Sequence, residues 1–521
     1  MAQILTPPLL TPTRRTLLGG LVAAPFVLTG RARAQLSFSE FPFSLGVAAG
    51  DMTPDGFVIW TRLAQQPLEP NGGMPMKPVA VDWEVATDEG FRQIAAKGQD
   101  QAWPELAHSL HVDVTGLRPA TRYFYRFKCD GLPSMVGSAT TLPAPGAAVD
   151  KVRFAAVGCQ HLEHGWYTAY RDAARQNPDF MFHYGDYIYE YHDPWPRDRE
   201  GLPITPVRRY SRPTPMSLED YRVRYADTKL DGDLQAAHAV CGWYCTYDDH
   251  EVENNWASIY DQENDPPEMF VYRRRAALQA WYEHMPVRCK PTADGLVDFH
   301  RRVDYGTLAR FHYPNTRLYR SDQPCGDNFK PDCAARHAPG QDMLNAAQWT
   351  WLEEGFRSSR NAWNIVPQQV MVCIPDRREK GGSQPIYNMD SWGGYPAAQQ
   401  HLLEIFSRAP GGNVLVVTGD EHRNYANDLI LRDRIVASEF VSTSITSNGD
   451  RADDDNSANM LANNAFVKWI NDQRGYVMTE VTREGCTGDY RTVETVTRRD
   501  APVASAAKWA VAAGKPGLVK A

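Results

Sequence analysis

The sequence predicts an α/β fold: a large α/β domain preceded by a small β-sandwich of the immunoglobulin kind. Three observations carry this. Between Leu36 and Pro143 short β-rich runs alternate with Pro/Gly turn clusters, as in a sandwich. Beyond Lys151 apolar strand runs alternate with longer helical patterns such as Arg273–His284 and Ala346–Ser358. The stretch Thr141–Ala148 between the two regions is rich in Pro, Gly and Ala and reads as a linker. With 521 residues, 43% of them hydrophobic, the chain is too apolar to be disordered and has material for a large core.

The first element is an address. Arg14 and Arg15 precede an apolar stretch, Leu17–Leu28, that is too short and too rich in Gly and Ala to span a bilayer, and Ala32-Arg33-Ala34 offers a cleavage site before Gln35. Residues 1–34 therefore read as a twin-arginine signal, with the twin-arginine translocase as export partner and the periplasm or exterior as destination. No second long apolar run follows, so no stable membrane span is expected. Cleavage would remove four of the 55 basic residues and none of the 63 acidic ones, shifting the formal charge from −8 to −12. Such a surface does not attract nucleic acid by its diffuse field.

Residues 36–145 form the sandwich candidate, with strands at Phe57–Trp60, Val79–Val85, His111–Val114 and Tyr123–Phe127. The stretch Leu117–Tyr125 resembles the end of a fibronectin type III domain, where a tyrosine locks a corner by hydrogen bonding. Residues 151–495 form the α/β domain. The tail, 496–521, contains the Ala-rich stretch Ala501–Ala513, which reads equally as a closing helix or a frayed end.

Four apolar runs end in polar clusters. Val152–Val157 leads to Cys159, Phe180–His183 to Asp186 and Tyr189, Ala239–Thr246 to Asp248, Asp249 and His250, and Val414–Val417 to Asp420 and His422. In an open α/β sheet the carboxyl ends of strands share one rim, so these endings converge on one site. Taken singly, each residue has an ordinary structural reading: a buried cysteine is a small apolar group, an aspartate after a strand is a turn or cap, and a histidine is a satisfied core residue. Together they form a ligand set. Carboxylate and phenolate oxygens suit Fe(III) or calcium and a thiolate suits a softer transition metal, so the mixture points to several cations. Such a site clamps a phosphate ester and lowers the pKa of water for in-line attack without a protein nucleophile.

Gly185-Asp186-Tyr187-Ile188-Tyr189 is similar to the Gly-Asp-x-x-Tyr motif of metallophosphoesterases. With Phe43–Gly56, Ile59–Arg62, Gly158–Gln160, Asp248–Asn255, Arg275–Pro286, Thr316–Gln323, Asp390–Trp392, Gly394–Pro396, Gly419–His422, Thr443–Ser447 and Arg474–Tyr476, the chain resembles the PhoD-type alkaline phosphatases from about residue 40 to 495. The resemblance implies a metallophosphoesterase-like α/β sandwich and a secreted hydrolase of phosphate esters. Its cofactors would be iron, Fe(3+), and calcium, Ca(2+). Carried over residue by residue, it makes Cys159, Asp186 and Tyr189 iron ligands, with Asp186 also reaching calcium. Asp249, Asn254 and Asp390 become candidate calcium ligands, Asp420 and His422 close the far rim, and the choices between Asp248 and Asp249 and between Asn254 and Asn255 stay open.

Three positions depart from the family pattern. Asn315 and Gly393 stand where aspartates are usual, and Asn464-Ala465 replaces a Pro-His pair. Two missing carboxylates are expected to weaken a calcium site. For catalysis, His250 or His422 is placed to protonate the leaving alkoxide, and Arg317 is a candidate for bidentate phosphate binding, with a structural role as its alternative. His161 and His164 are expected to line the pocket or the surface. Two other functions fit the same sequence: a phosphodiesterase or phospholipase D-like hydrolase on these metals, and a secreted binding protein with a degenerate metal site. Nine cysteines leave at least one unpaired, for which Cys159 is the candidate, and Cys325 and Cys333 are the expected disulfide. Cys241 and Cys245, placed along one strand, would lie about 13 Å apart and unable to bridge.

Overall fold

The structure, a computed structural model, describes residues 38–192, 205–450 and 455–521; the predicted export signal lies outside them. Residues 38–521 form one compact unit built on two facing sheets. The first has ten strands in the order Lys515–Lys520, Val503–Ala512, Gly485–Val493, Gly475–Thr482, Lys151–Val157, Phe180–His183, Gly242–Cys245, Val47–Thr53, Gly56–Arg62 and Ser109–Val114. The second has seven, with Ala309–Tyr313, Trp363–Pro367, Val414–Thr418 and Arg434–Val441 running parallel at its centre.

The central strands carry almost continuous apolar sequence because both of their faces are covered. Between the sheets, the Phe154 and Phe180 rings stack at 5.0 Å, and both meet Phe311 edge-on. Behind the first sheet, Met181, Trp243 and Cys245 are buried against side chains of helices Thr168–Arg175, Leu218–Lys229, Gly232–Val240 and Pro267–His284. Helices Ala346–Ser358 and Pro396–Ser407 cover the second sheet. The α/β sandwich expected from the sequence is present, and the two helices it located lie within or match these elements.

The amino-terminal region contains all four expected strands. Tyr123 makes the expected corner, its hydroxyl accepting from the Arg118 N–H at 2.9 Å. Its strands divide between two sheets. Ile94–Ala102, Val79–Ala86, Arg122–Cys129 and their neighbours form a five-stranded sheet, whereas Val47–Thr53, Gly56–Arg62 and Ser109–Val114 extend the large sheet through the parallel pairing of Gly50 with Trp243. Gly50 is required there: a β-carbon would lie 2.2 Å from the Pro286 carbonyl oxygen.

The tail is neither a helix nor frayed. Val503–Ala512 pairs antiparallel with Gly485–Val493 and turns into Lys515–Lys520. Leu518 donates its N–H to Asp428 Oδ1 at 2.8 Å, and Val511 and Leu518 are buried. Tertiary pairing overrides the small per-residue helix preference of alanine.

Cys325 and Cys333 form the expected disulfide. The other seven cysteines are free, so Cys159 is one of several unpaired thiols rather than the single odd one. Cys241 precedes its strand instead of lying within it, capping helix Gly232–Val240. Among the described residues no helix is long and apolar enough to cross a membrane.

Candidate metal centre

The four strand endings meet, but across two sheets rather than on the rim of one. Lys151–Val157, Phe180–His183 and Gly242–Cys245 are neighbours in the ten-stranded sheet, and Val414–Thr418 belongs to the facing one. The seam is tight. The Tyr184 ring lies between Gly158 and Gly419, where a β-carbon would come within 2.3 and 2.2 Å of it, and its hydroxyl donates to the Thr443 carbonyl at 2.5 Å. At each ending the chain turns sharply: Cys159, Asp186, Asp420 and His422 all have left-handed φ, of 51°, 56°, 67° and 53°. This conformation costs a non-glycine residue about 1–2 kcal/mol, and its repetition at four convergent residues is the pattern of a functional site.

Three clusters have ligand atoms within 4.8 Å of one another: Cys159, Asp186 and His422; Asp186, Asp249 and His250; and Asp248, Asp249 and Asp420. Asp186 links the first two and Asp249 the last two. The Tyr189 hydroxyl donates to Asp186 Oδ2 at 2.9 Å and lies 3.0 Å from His422 Nε2, whose Nδ1 is 2.8 Å from the Asn448 amide nitrogen. Of the ten residues singled out from sequence, Cys159, Asp186, Tyr189, Asp249, His250, Asp420 and His422 are thus brought together. Asp248 joins them, so both members of the Asp248/Asp249 pair face the cluster.

Asp390 and Arg317 do something else. Arg317 is fully buried, with Nε 2.5 Å from Asp248 Oδ1, a fork of 2.7 and 2.6 Å to the two Asp390 oxygens, and Nη2 3.3 Å from Asp249 Oδ1. The guanidinium is occupied by these carboxylates and the Trp256 carbonyl, the structural role that stood as the alternative to phosphate binding. Asp390 also accepts from Arg320 at 2.9 Å and Gln323 at 2.7 Å. Despite burial, Arg317 and Arg320 hold its carboxyl down at about 2. It is a member of an arginine network and of none of the three clusters. Asn254 directs its amide nitrogen to Gln262 and its backbone N–H to Glu190, while Asn255 donates its backbone N–H to Asp249 Oδ2.

Two residues given no role from sequence organise the site. Glu251, buried, accepts backbone N–H bonds from Asp186, Tyr187 and Asp248 at 3.0, 2.6 and 2.9 Å, which fixes two strand endings to one carboxylate. Glu190 holds His250 Nδ1 at 2.8 Å. Glu251 lies inside a motif read from the sequence and Glu190 directly follows one, but nothing local to them shows which groups they bind. His161 and His164 stack at 3.7 Å, buried, with the His161 ring 4.7 Å from that of Tyr189; they back the tyrosine rather than join a cluster. Asn315 spends its amide on Tyr247 and on the N–H groups of Arg317 and Leu318. A β-carbon at Gly393 would meet the Asn388 carbonyl at 2.4 Å. The first departure has a structural task, and the second has no space for a side chain.

The electrostatics fit a cation. Burial, and then Asp249, push the Asp186 carboxyl well above its usual range, and burial with Asp248 does the same to Asp420. Burial, then Asp186 and Asp420, push the Cys159 thiol up. Burial opposes a charge on His250, yet Asp249 and Glu190 hold its imidazole well above the ordinary histidine value. Asp186 Oδ1 is buried with no hydrogen-bond donor, and Asp249 Oδ1 has only the 3.3 Å ion-pair contact with Arg317. Acceptor oxygens left without donors beside a thiol and further carboxylates are costly in a protein interior unless a metal ion takes them up.

A sequence model of the PhoD-like phosphatase family matches residues 154–490, and one of the PhoD-like phosphatase N-terminal domain matches residues 30–143. This chain belongs to the PhoD-like phosphatase family. It is 42% identical over 512 residues to the protein named alkaline phosphatase D of Bacillus subtilis (strain 168), covering 96% of this chain and 86% of that protein. A solved structure described as the structure of PhoD superposes with a TM-score of 0.88 at 42% identity, covering 93% of each chain.

Proposed function

We propose that this PhoD-like phosphatase is an exported, iron- and calcium-dependent hydrolase of phosphate esters, with Cys159, Asp186 and Tyr189 holding Fe(3+) and Asp248, Asp249, Asp420 and Asn254 serving Ca(2+). Membership of the family makes the chain a phosphoric ester hydrolase. The observation that carries the metal assignment is Asp186: one oxygen engages Tyr189 while the other is buried without a donor beside Cys159 and His422. Thiolate, phenolate and carboxylate together favour iron, whereas the all-carboxylate cluster favours a hard cation such as calcium. Export by the twin-arginine route rests on Arg14, Arg15 and the short apolar stretch after them.

When bound, the cations supply neutralising charge to the phosphoryl oxygens and acidify water. The chain's own groups do the rest. Glu251 holds the Asp186 and Asp248 loops in register, and Arg317 orients Asp248 and Asp249 from behind. Glu190 accepts the Nδ1–H hydrogen bond of His250, leaving Nε2 on the side of Asp249. There Nε2 is placed to donate to a leaving alkoxide. His422 fixes the orientation of the Tyr189 hydroxyl.

The reading is tested by the turnover of p-nitrophenyl phosphate against bis-p-nitrophenyl phosphate. The monoester is expected to have the higher kcat/KM, by about 10-fold, since a full dianion interacts more strongly with a cationic site. A preference for the diester would assign the chain to phosphodiesterase chemistry on the same residues, and inertness toward both would refute hydrolysis.

A further inference from the structure

A cleft of about 540 Å³ is lined by Phe329, Pro331, Arg377, Arg378 and Ile386 among others, and Arg377 connects it to the metal-centre loop. Its floor is tied to the site. The Arg377 guanidinium forms an ion pair with Glu421, the residue between Asp420 and His422, and Asn388 reaches the same carboxylate at 3.4 Å. Its wall is a pair of short strands, Phe329–Pro331 against Ile386–Asn388, anchored by the Cys325–Cys333 disulfide. That wall is tied to the opposite side of the centre through Asp327, which accepts from the Asn255 amide at 2.8 Å while the Asn255 N–H donates to Asp249.

Phe329 is the unusual member. It is 56% exposed, although the residues around it are held by a disulfide, a strand pair and an ion pair. Arg377 lies 5.1 Å from its ring centroid, a cation–π contact that leaves the rest of the ring open. An exposed aromatic surface in a cleft of ligand size is suited to stacking on a flat partner.

We propose that Phe329 is a specificity-determining residue that stacks on an aromatic group carried by the leaving alcohol, so that the preferred esters are of the nucleoside 5′-phosphate class rather than simple alkyl or sugar phosphates. This rests on the phosphate-ester reading of the metal centre. The reaction is unchanged: water adds to phosphorus, the P–O bond to the alcohol breaks, and the alcohol oxygen takes a proton. Base–aromatic stacking is worth about 1–3 kcal/mol, or roughly 5- to 150-fold in kcat/KM.

Adenosine 5′-monophosphate and ribose 5-phosphate share the phosphate ester and the sugar, the base of the one taking the place of the anomeric hydroxyl of the other. The wild type is expected to favour the nucleotide by about 10-fold in kcat/KM, Phe329→Ala to bring the ratio to near one by losing nucleotide turnover alone, and Phe329→Tyr to restore it. Equal rates for the two esters in the wild type, or an unchanged ratio in Phe329→Ala, would overturn the proposal while leaving the hydrolase reading intact. Equal losses on both esters in Phe329→Ala would also overturn it, marking the residue as structural. Failure of the wild type to hydrolyse these esters and p-nitrophenyl phosphate alike would overturn both readings.

Discussion

Replacing Asp186 by asparagine is expected to lower kcat by about 10³-fold or more and to deplete the protein of iron, while the metal-free fold melts no lower than the metal-free wild type. Asp186 is the point where two of the three ligand clusters meet, and it carries one of the buried oxygens without a donor. The substitution preserves shape and removes charge. In the absence of metal it relieves repulsion from Asp248, Asp249 and Glu251, which is why stability should not fall. Activity assays, metal analysis and a thermal melt of the stripped proteins separate these effects. A variant with full activity would remove Asp186 from the site, and one that fails to fold without metal would make its role structural.

Arg317→Gln is expected to destabilise the fold by about 3–5 kcal/mol, because it strips the shared cation from Asp248, Asp249 and Asp390, which remain buried. Arg317→Lys should recover little of this, since a point charge cannot replace a planar fork that bonds both Asp390 oxygens while also reaching Asp248. Denaturant unfolding measures the loss. An arginine whose task was to bind phosphate would behave in the opposite way: stability nearly unchanged and KM raised. The distances favour the first outcome, and with it a centre whose carboxylates are positioned from behind by one guanidinium.

The extent to which this site is legible in sequence follows from the range of the interactions that build it. Cys159, Asp186, Tyr189, Asp249, Asp420 and His422 each stand just after an apolar run, and a strand ending is a local signal. Which sheet a run joins is not local. Val414–Thr418 reads like the other three runs, yet its partners are Trp363–Pro367 and Arg434–Val441. The pairing of Arg317 with Asp390 spans 73 residues and turns a candidate phosphate ligand and a candidate calcium ligand into partners of each other. The bonds of Glu251 to the backbone of Asp186 and Tyr187 span more than 60 residues and leave no pattern in the chain. The alanine-rich tail misleads for a related reason, since its strand conformation depends on the edge offered by Gly485–Val493.

Metal analysis of protein purified without chelator bears most directly on the central claim that this cluster is an iron-containing hydrolytic centre. About one iron per chain with calcium beside it, loss of turnover on stripping and its return when both ions are restored is the expected result. Full activity in protein free of iron would contradict it.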